Sequence, residues 1–291
     1  MSSPVHQENP LVDAFSDFSI GSLLLRMGKI TPEDAERIMR LHKERGIRFG
    51  EAAQSLGLIT EQDIQQVLAR QFDYPHLHLS DDEIYSKELI AAYQPFSKQV
   101  EVLRNIRSQL TLHWFDTERK SLVIAGANAG DGVSYLISNL AVVFSQLGQN
   151  TLLIDANLRS PRQHEIFRLD NKKGLSDVLA GRADAEVISK LNSFNSLSVL
   201  TAGTLAPNPQ ELVSRPGFRN FIAKVEKQFD VILIDAPAVS YGADVYAIAA
   251  YVRGVVLAAR KNKTRYGDVS TITEQFNNNG TQVVGNVLVD F

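Results

Sequence analysis

The stretch from Ser121 to Ala141, SLVIAGANAGDGVSYLISNLA, constrains this chain more than any other: an apolar run ends in a glycine-rich turn, and an amphipathic helix pattern follows at once. It reads as strand, loop and helix. Glycine removes side-chain obstruction from such a turn, so consecutive backbone N–H groups converge on an anion at the helix N-terminus, where a hydroxyl residue can also hold magnesium. The residues Ala129, Gly130, Asp131, Gly132, Val133, Ser134 and Tyr135 occupy the turn and the helix start. The pattern G-x-x-x-x-G-K-[ST] would place its first glycine at Ala127 and its lysine at Val133. The loop therefore has the outline of a phosphate cradle without its cation.

Five further apolar runs follow, at 151–157, 196–203, 230–237, 254–260 and 283–290, each separated from the next by a helical pattern. Continuous Val, Ile and Leu runs alternating with helices predict strands covered on both faces, hence an α/β, doubly wound, mostly parallel sheet of six strands. Ligands of such sheets bind at the carboxyl ends of the strands. Two of the runs end in aspartate, Asp155 in LLIDANLRSP and Asp235 in VILIDAP. A single strand-end aspartate usually caps a turn, but two that share a sheet with a phosphate loop fit the need of such a site for a carboxylate close to magnesium.

The 291 residues predict about two domains, and 44% hydrophobic content with 22% charge is that of an ordinary globular chain. A net charge of −3 offers no bulk attraction for nucleic acid, so no nucleic-acid partner is expected. The absence of cysteine excludes disulfides and thiolate metal sites. No apolar run approaches the roughly 18 residues of a membrane helix, and the expected location is cytoplasmic.

Ahead of the loop lies an internal repeat of period 29, in which IGSLLLRMGKITPEDAERIM from Ile20 is echoed by FGEAAQSLGLITEQDIQQVL from Phe49. Thr31 and Thr60 are expected to cap the longer helix of each copy, with Pro32 at the first helical position of copy one. Ala35, Ile38 and Met39, matched by Ile64, Val67 and Leu68, recur at helical spacing and can bury one face against another. The expected organisation is a flexible tail over 1–17, a small all-α repeat domain over 18–79, a linker over 80–95 and the sheet domain over 96–291. At its start, 97–114 places Val100, Leu103, Ile106 and Leu110 on one helical face and Glu101, Arg104 and Arg107 on another.

The repeat resembles the N-terminal domain of type II secretion and pilus-assembly ATPases, which in some members binds cyclic di-GMP. Arg48, Phe49, Gly50 and Gln71 match the binding pattern in the second copy, whereas the first has Ser19 and His42 in the corresponding places. A docking module and a cyclic di-GMP sensor both stay open.

From Phe96 to Phe291 the chain closely resembles the bacterial tyrosine kinases of exopolysaccharide and capsule synthesis (BY-kinases), relatives of the MinD and ParA P-loop ATPases, and in particular their EpsG-type chain-length determinant branch. Gly130–Tyr135, Leu152–Pro161 and Val231–Pro237 carry the likeness, together with GLSDVLAG from Gly174 and NPQEL from Asn208. The resemblance implies ATP or ADP with Mg2+ as cofactors, Ser134 and Asp235 as metal-site residues, Asp155 as the base for a tyrosine hydroxyl, and Arg159 close by. It implies a nucleotide-contacting role for Ala259–Thr264 and self-assembly through the E-x-x-R-x-x-R motif at Glu101, Arg104 and Arg107. It further implies a transmembrane chain-length determinant protein as partner, which would hold this chain peripherally at the inner membrane.

Three departures bear on catalysis: Val133 in place of lysine, Asn157 in place of the second aspartate of D-x-D, and no tyrosine cluster after Tyr266. An autokinase that draws a cation from Arg159, Lys261 or a partner's arginine is one reading. A pseudokinase that controls polymer length by ring assembly is the second. A MinD- or ParA-like positioning ATPase is the third, although Asn128 stands where those proteins carry a further lysine.

Overall fold

Caps and glycines set the helix lengths of the repeat. The computed structural model describes residues 19–61, 63–64, 67–68 and 84–290, so the expected tail over 1–17, Gln71 and the first part of the expected linker lie outside the described residues. The chain forms two units, Met1–His78 and Leu79–Phe291. In the first, α1 (Ile20–Arg26) is capped by Ser19, whose hydroxyl accepts the Ser22 N–H. Next, α2 (Pro32–Arg45) opens on a capping box between Thr31 and Asp34 and stops at Gly46 in the left-handed region. The second copy repeats the plan with α3 (Phe49–Ser55), and Asp63 closes the same box on Thr60. Ile30 and Ile59, and Ile38 and Val67, are equivalent by the repeat, and all four are buried in one core with Leu24, Ala35, Ala52 and Ala53.

Part of the predicted linker is integral to the second unit. Tyr85 stacks on Phe194 and meets Phe167 edge-on. The short helix α4 (Ile90–Tyr93) is tied down by Asn139, which accepts the Ala91 N–H at 2.9 Å and donates to the Glu88 carbonyl at 2.9 Å. Leu89, Ala91 and Ala92 are fully buried. Next, α5 (Lys98–His113) starts at the Ser97 cap and buries Val100, Leu103 and Leu110.

The sheet holds β1 (Ser121–Gly126), β2 (Thr151–Asp155), β3 (Ser189–Lys190), β4 (Leu197–Leu200), β5 (Val231–Asp235), β6 (Gly254–Arg260) and β7 (Gln282–Val289). Their spatial order is β3-β4-β2-β5-β1-β6-β7, with every pairing parallel except β3 on β4. The six predicted runs are all strands. The seventh, β3, has two residues and cannot display a period. The crossovers include α6 (Val133–Ser145) between β1 and β2, α10 (Pro216–Val225) between β4 and β5, α11 (Asp244–Val252) between β5 and β6, and α12 (Tyr266–Asn278) between β6 and β7. The smaller helices α7 (Gln163–Ile166), α8 (Leu175–Leu179) and α9 (Pro209–Ser214) lie between β2 and α10. β1 is flanked by β5 on one side and β6 on the other, so the glycine loop emerges at the carboxyl end of the sheet's centre.

Trp114 anchors the foot of that sheet. Its indole N–H donates to the Ser121 carbonyl at 3.0 Å, and a Cβ at Gly254 would stand 2.1 Å from its ring. Gly254→Ala should therefore destabilise the domain by about 2–3 kcal/mol, in the range of overpacked cores. A urea midpoint equal to that of the parent chain would refute the assignment.

Candidate functional site

The loop after β1 is held by its own side chains. Gly130 and Gly132 sit at φ +81° and +87°, in the left-handed region that glycine enters without strain, and Gly132 leads directly into α6. Asp131, expected among the nucleotide contacts, is buried: its carboxylate accepts the Asn128 N–H at 2.8 Å and the Thr264 hydroxyl at 2.9 Å, bracing the loop from within. The Val133 side chain packs back towards β1, where a Cβ at Gly126 would meet it at 3.0 Å. Above the loop opens a cleft of about 470 Å³, lined by residues 128–135 and by Glu88, Asn157, Arg162, Tyr241 and Arg260.

Beneath the loop lie the two aspartates. The pairing of β2 with β5 sets Asp155 opposite Asp235, and both are fully buried. Asp155 accepts three backbone N–H groups, from Asn157 at 3.2 Å, Arg162 at 3.0 Å and Gln163 at 2.9 Å. Asp235 Oδ2 accepts the Gln163 amide at 2.6 Å, whereas its Oδ1 is buried with no partner among the described residues. Burial pushes the Asp235 carboxyl up to about 6, against the lowering effect of hydrogen bonds from Gln163 and Ser134 and of the Arg162 charge. Burial, and then the neighbouring Asp235 charge, hold Asp155 well above the usual carboxylate range in spite of its three backbone donors.

Other predicted residues are engaged elsewhere. Arg159 forms a two-pronged pair with the buried Asp244, at 2.7 and 3.0 Å, and does not line the cleft. Lys261 pairs with Asp290 at 2.7 Å. Neither therefore stands as the substitute cation that the sequence reading allowed. Asn157 does line the cleft; its side chain accepts the Ser160 N–H at 3.1 Å. Arg104 pairs with Glu101 at 3.0 Å, and Arg107 donates to the Val143 carbonyl at 2.7 Å, so both arginines of the assembly motif make contacts within the chain. In the repeat, Ser19 caps α1, and the His42 ring is bonded to the Ile47 carbonyl.

Sequence reasoning missed Glu88, Gln163 and Tyr241. Gln163 stands only two residues beyond the Leu152–Pro161 motif, yet nothing in its type marks a buried amide that bridges Asp235 and the Ser134 carbonyl, the latter at 3.2 Å. Glu88 accepts a salt bridge from Arg162 at 2.8 Å, and this charge, after burial, raises the Tyr135 phenol above its ordinary range. Among the described residues there is no cluster of three or more His, Cys, Asp or Glu with metal-binding geometry, and no helix is long and apolar enough to cross a membrane.

No protein-family model matches the chain. It is 33% identical over 195 residues to the putative tyrosine-protein kinase CapB of Staphylococcus aureus, covering 67% of this chain and 86% of that protein. It is 27% identical over 258 residues to a putative tyrosine-protein kinase in the cps region of Klebsiella pneumoniae, of which it spans 35%. Among solved structures, the kinase domain of the Escherichia coli tyrosine kinase ETK superposes with a TM-score of 0.69 at 28% identity, over 74% of this chain and 84% of that one. The septum site-determining protein MinD of Pyrococcus horikoshii, solved with Mg-ADP, shares the fold at 21% identity and a TM-score of 0.51, over 58% of this chain and 69% of that one.

Proposed function

The chain belongs to the bacterial tyrosine-kinase family, and from that premise we propose that it is a magnesium-nucleotide-binding member in which tyrosine phosphorylation is attenuated, serving chain-length control in exopolysaccharide synthesis and export. One observation carries the reading: Asp235 keeps a buried carboxylate oxygen with no partner among the described residues at the foot of the glycine loop, and Gln163 ties the same carboxylate to the Ser134 carbonyl. Orphaned acceptors are rare in native interiors, and a hard cation is the partner that such an oxygen fits. Ser134 and Asp235 would hold the ion, which when bound would neutralise charge on the transferring phosphate.

The chain's own residues do the rest. Backbone N–H groups of residues 129–135 and the start of α6 would cradle the phosphates. The attenuation rests on three side chains. Val133 brings no charge. Asp155 has both oxygens engaged by backbone N–H groups and no exposed surface, so it is a positioning residue for the turn at 157–163. Asn157, which does reach the cleft, can accept a hydrogen bond but cannot take up a phenol proton.

In this reading α5 joins copies of the chain into a ring. The Glu101 side chain and Val102 are more than half exposed, and Leu112 more so. A transmembrane chain-length determinant partner would hold the ring at the cytoplasmic face of the inner membrane. The repeat serves as a docking module, since Ser19 and His42 already spend their polar groups within the chain.

Titration with a fluorescent ADP analogue tests the core of the proposal. Binding should require Mg2+ and weaken roughly tenfold in Ser134→Ala, the loss of one charge-assisted contact. Phosphotyrosine should form about a hundredfold more slowly than the 1–100 s−1 usual for kinases. Nucleotide binding indifferent to Mg2+ would overturn the metal assignment, and no binding at all would overturn the reading.

A further inference from the structure

We propose that Gln163 is a positioning residue of the metal site: its amide N–H groups hold Asp235, and its own amide oxygen is kept for a water that accompanies a hydrated magnesium ion. The inference rests on the nucleotide reading above. Gln163 is fully buried, and its Nε2 donates to Asp235 Oδ2 at 2.6 Å and to the Ser134 carbonyl at 3.2 Å. The amide cannot be reversed, since its oxygen would then face two acceptors. Oε1 is therefore left to itself, with no partner among the described residues.

Two buried oxygens of one hydrogen-bonded pair of side chains, Gln163 Oε1 and Asp235 Oδ1, thus both lack a donor. Native interiors rarely leave one acceptor in that state. The two oxygens differ in charge, and the difference divides their roles. A carboxylate oxygen suits direct contact with a hard cation. A neutral amide oxygen suits a water beside that cation, because magnesium gives up its hydration reluctantly. A glutamine present only to solvate Asp235 would leave its own oxygen unsatisfied whether or not a ligand is bound.

The backbone locks Gln163 in place. Its N–H donates to Asp155 at 2.9 Å, and its carbonyl accepts the Phe167 N–H at 2.9 Å. Ile166 and Phe167, at the far end of α7, are buried. One residue therefore engages both strand-end aspartates, Asp155 through the main chain and Asp235 through the side chain, and ties them to Ser134 at the start of α6. A group that orients a metal carboxylate from behind commonly contributes tenfold to a hundredfold in metal affinity.

Gln163→Met keeps the side-chain length and removes the amide. Mg-ADP affinity of the full chain should fall roughly tenfold to a hundredfold in this variant. In the Asp235→Asn background the same substitution should change affinity by no more than about threefold, since a residue that acts through the Asp235 carboxylate has nothing left to act on. Equal losses in the two backgrounds would show a role in folding alone and overturn the assignment, as would parent-like affinity of Gln163→Met. A second measurement needs no variant to fold: in the parent chain the Gln163 side-chain amide protons should exchange slowly with solvent, and their NMR signals should move when Mg-ADP is added. Signals that stay in place while Mg-ADP binds would overturn the assignment and leave the nucleotide reading standing. Failure of the parent chain itself to bind Mg-ADP would overturn both.

Discussion

Val133→Lys should tighten Mg-ADP binding by roughly tenfold to a hundredfold, the worth of one hydrogen bond from a charged donor. Tyrosine phosphorylation should rise further, by about 10²- to 10³-fold, because a cation on the transferred phosphate acts where charge shifts in the transition state. Position 133 is the first residue of α6 and only half buried, so a lysine stem can leave the pocket beside Gly126 that the valine methyl now fills. Calorimetry and phosphate incorporation from labelled ATP measure the two effects separately. Gain in binding without gain in transfer would place the remaining deficit at Asp155 and Asn157. No gain in either would mean that the loop does not hold a nucleotide in the orientation proposed.

The sheet was legible because parallel strands covered on both faces write themselves as unbroken apolar runs. Leu122 to Ala125 and Val231 to Ile234 are fully buried and read at once. Long-range partners leave no such trace. Residues 84–95 read as a linker because what makes them structural is Phe194 against Tyr85 and Asn139 against Glu88 and Ala91, all far away in sequence. The same distance hid the pairing of Arg159 with Asp244, which takes that arginine away from the cleft. Asp155 and Asp235 were readable as strand ends, and the pairing of β2 with β5 puts them side by side. Their burial was not readable, because it depends on Gln163 and the turn from Asn157 folding over them. Asp131 shows the limit of motif reading: its place in the loop was plain from spacing, and its inward direction is set by Thr264, 133 residues later.

That buried pair should give the largest opposed effects in one variant. Asp235 ionises at about 6 in the folded chain against 3.8 when exposed, so between these values the folded state holds more protons than the unfolded one. Stability without magnesium must then fall as pH rises from about 4 to about 6 and stay at the lower level above that. Asp235→Asn removes the buried charge while keeping the shape, and its carbonyl can still accept the Gln163 amide. The variant should therefore melt well above the parent at pH 7.5 without metal, match it near pH 4, and show a flatter pH profile. With Mg-ADP the order should reverse: the parent gains stability by ligand binding, and the variant, deprived of the carboxylate that would hold the ion, should bind at least a hundredfold more weakly. Melting curves across pH 4–8, with and without Mg-ADP, measure both halves. Equal pH slopes in the two chains would show that Asp235 is not the buried acid, and nucleotide-linked stabilisation surviving in the variant would show that it is not the metal carboxylate. A chain that keeps a destabilising charge beneath its glycine loop is one in which that charge is held for a ligand, since the apo protein alone would be better served by asparagine.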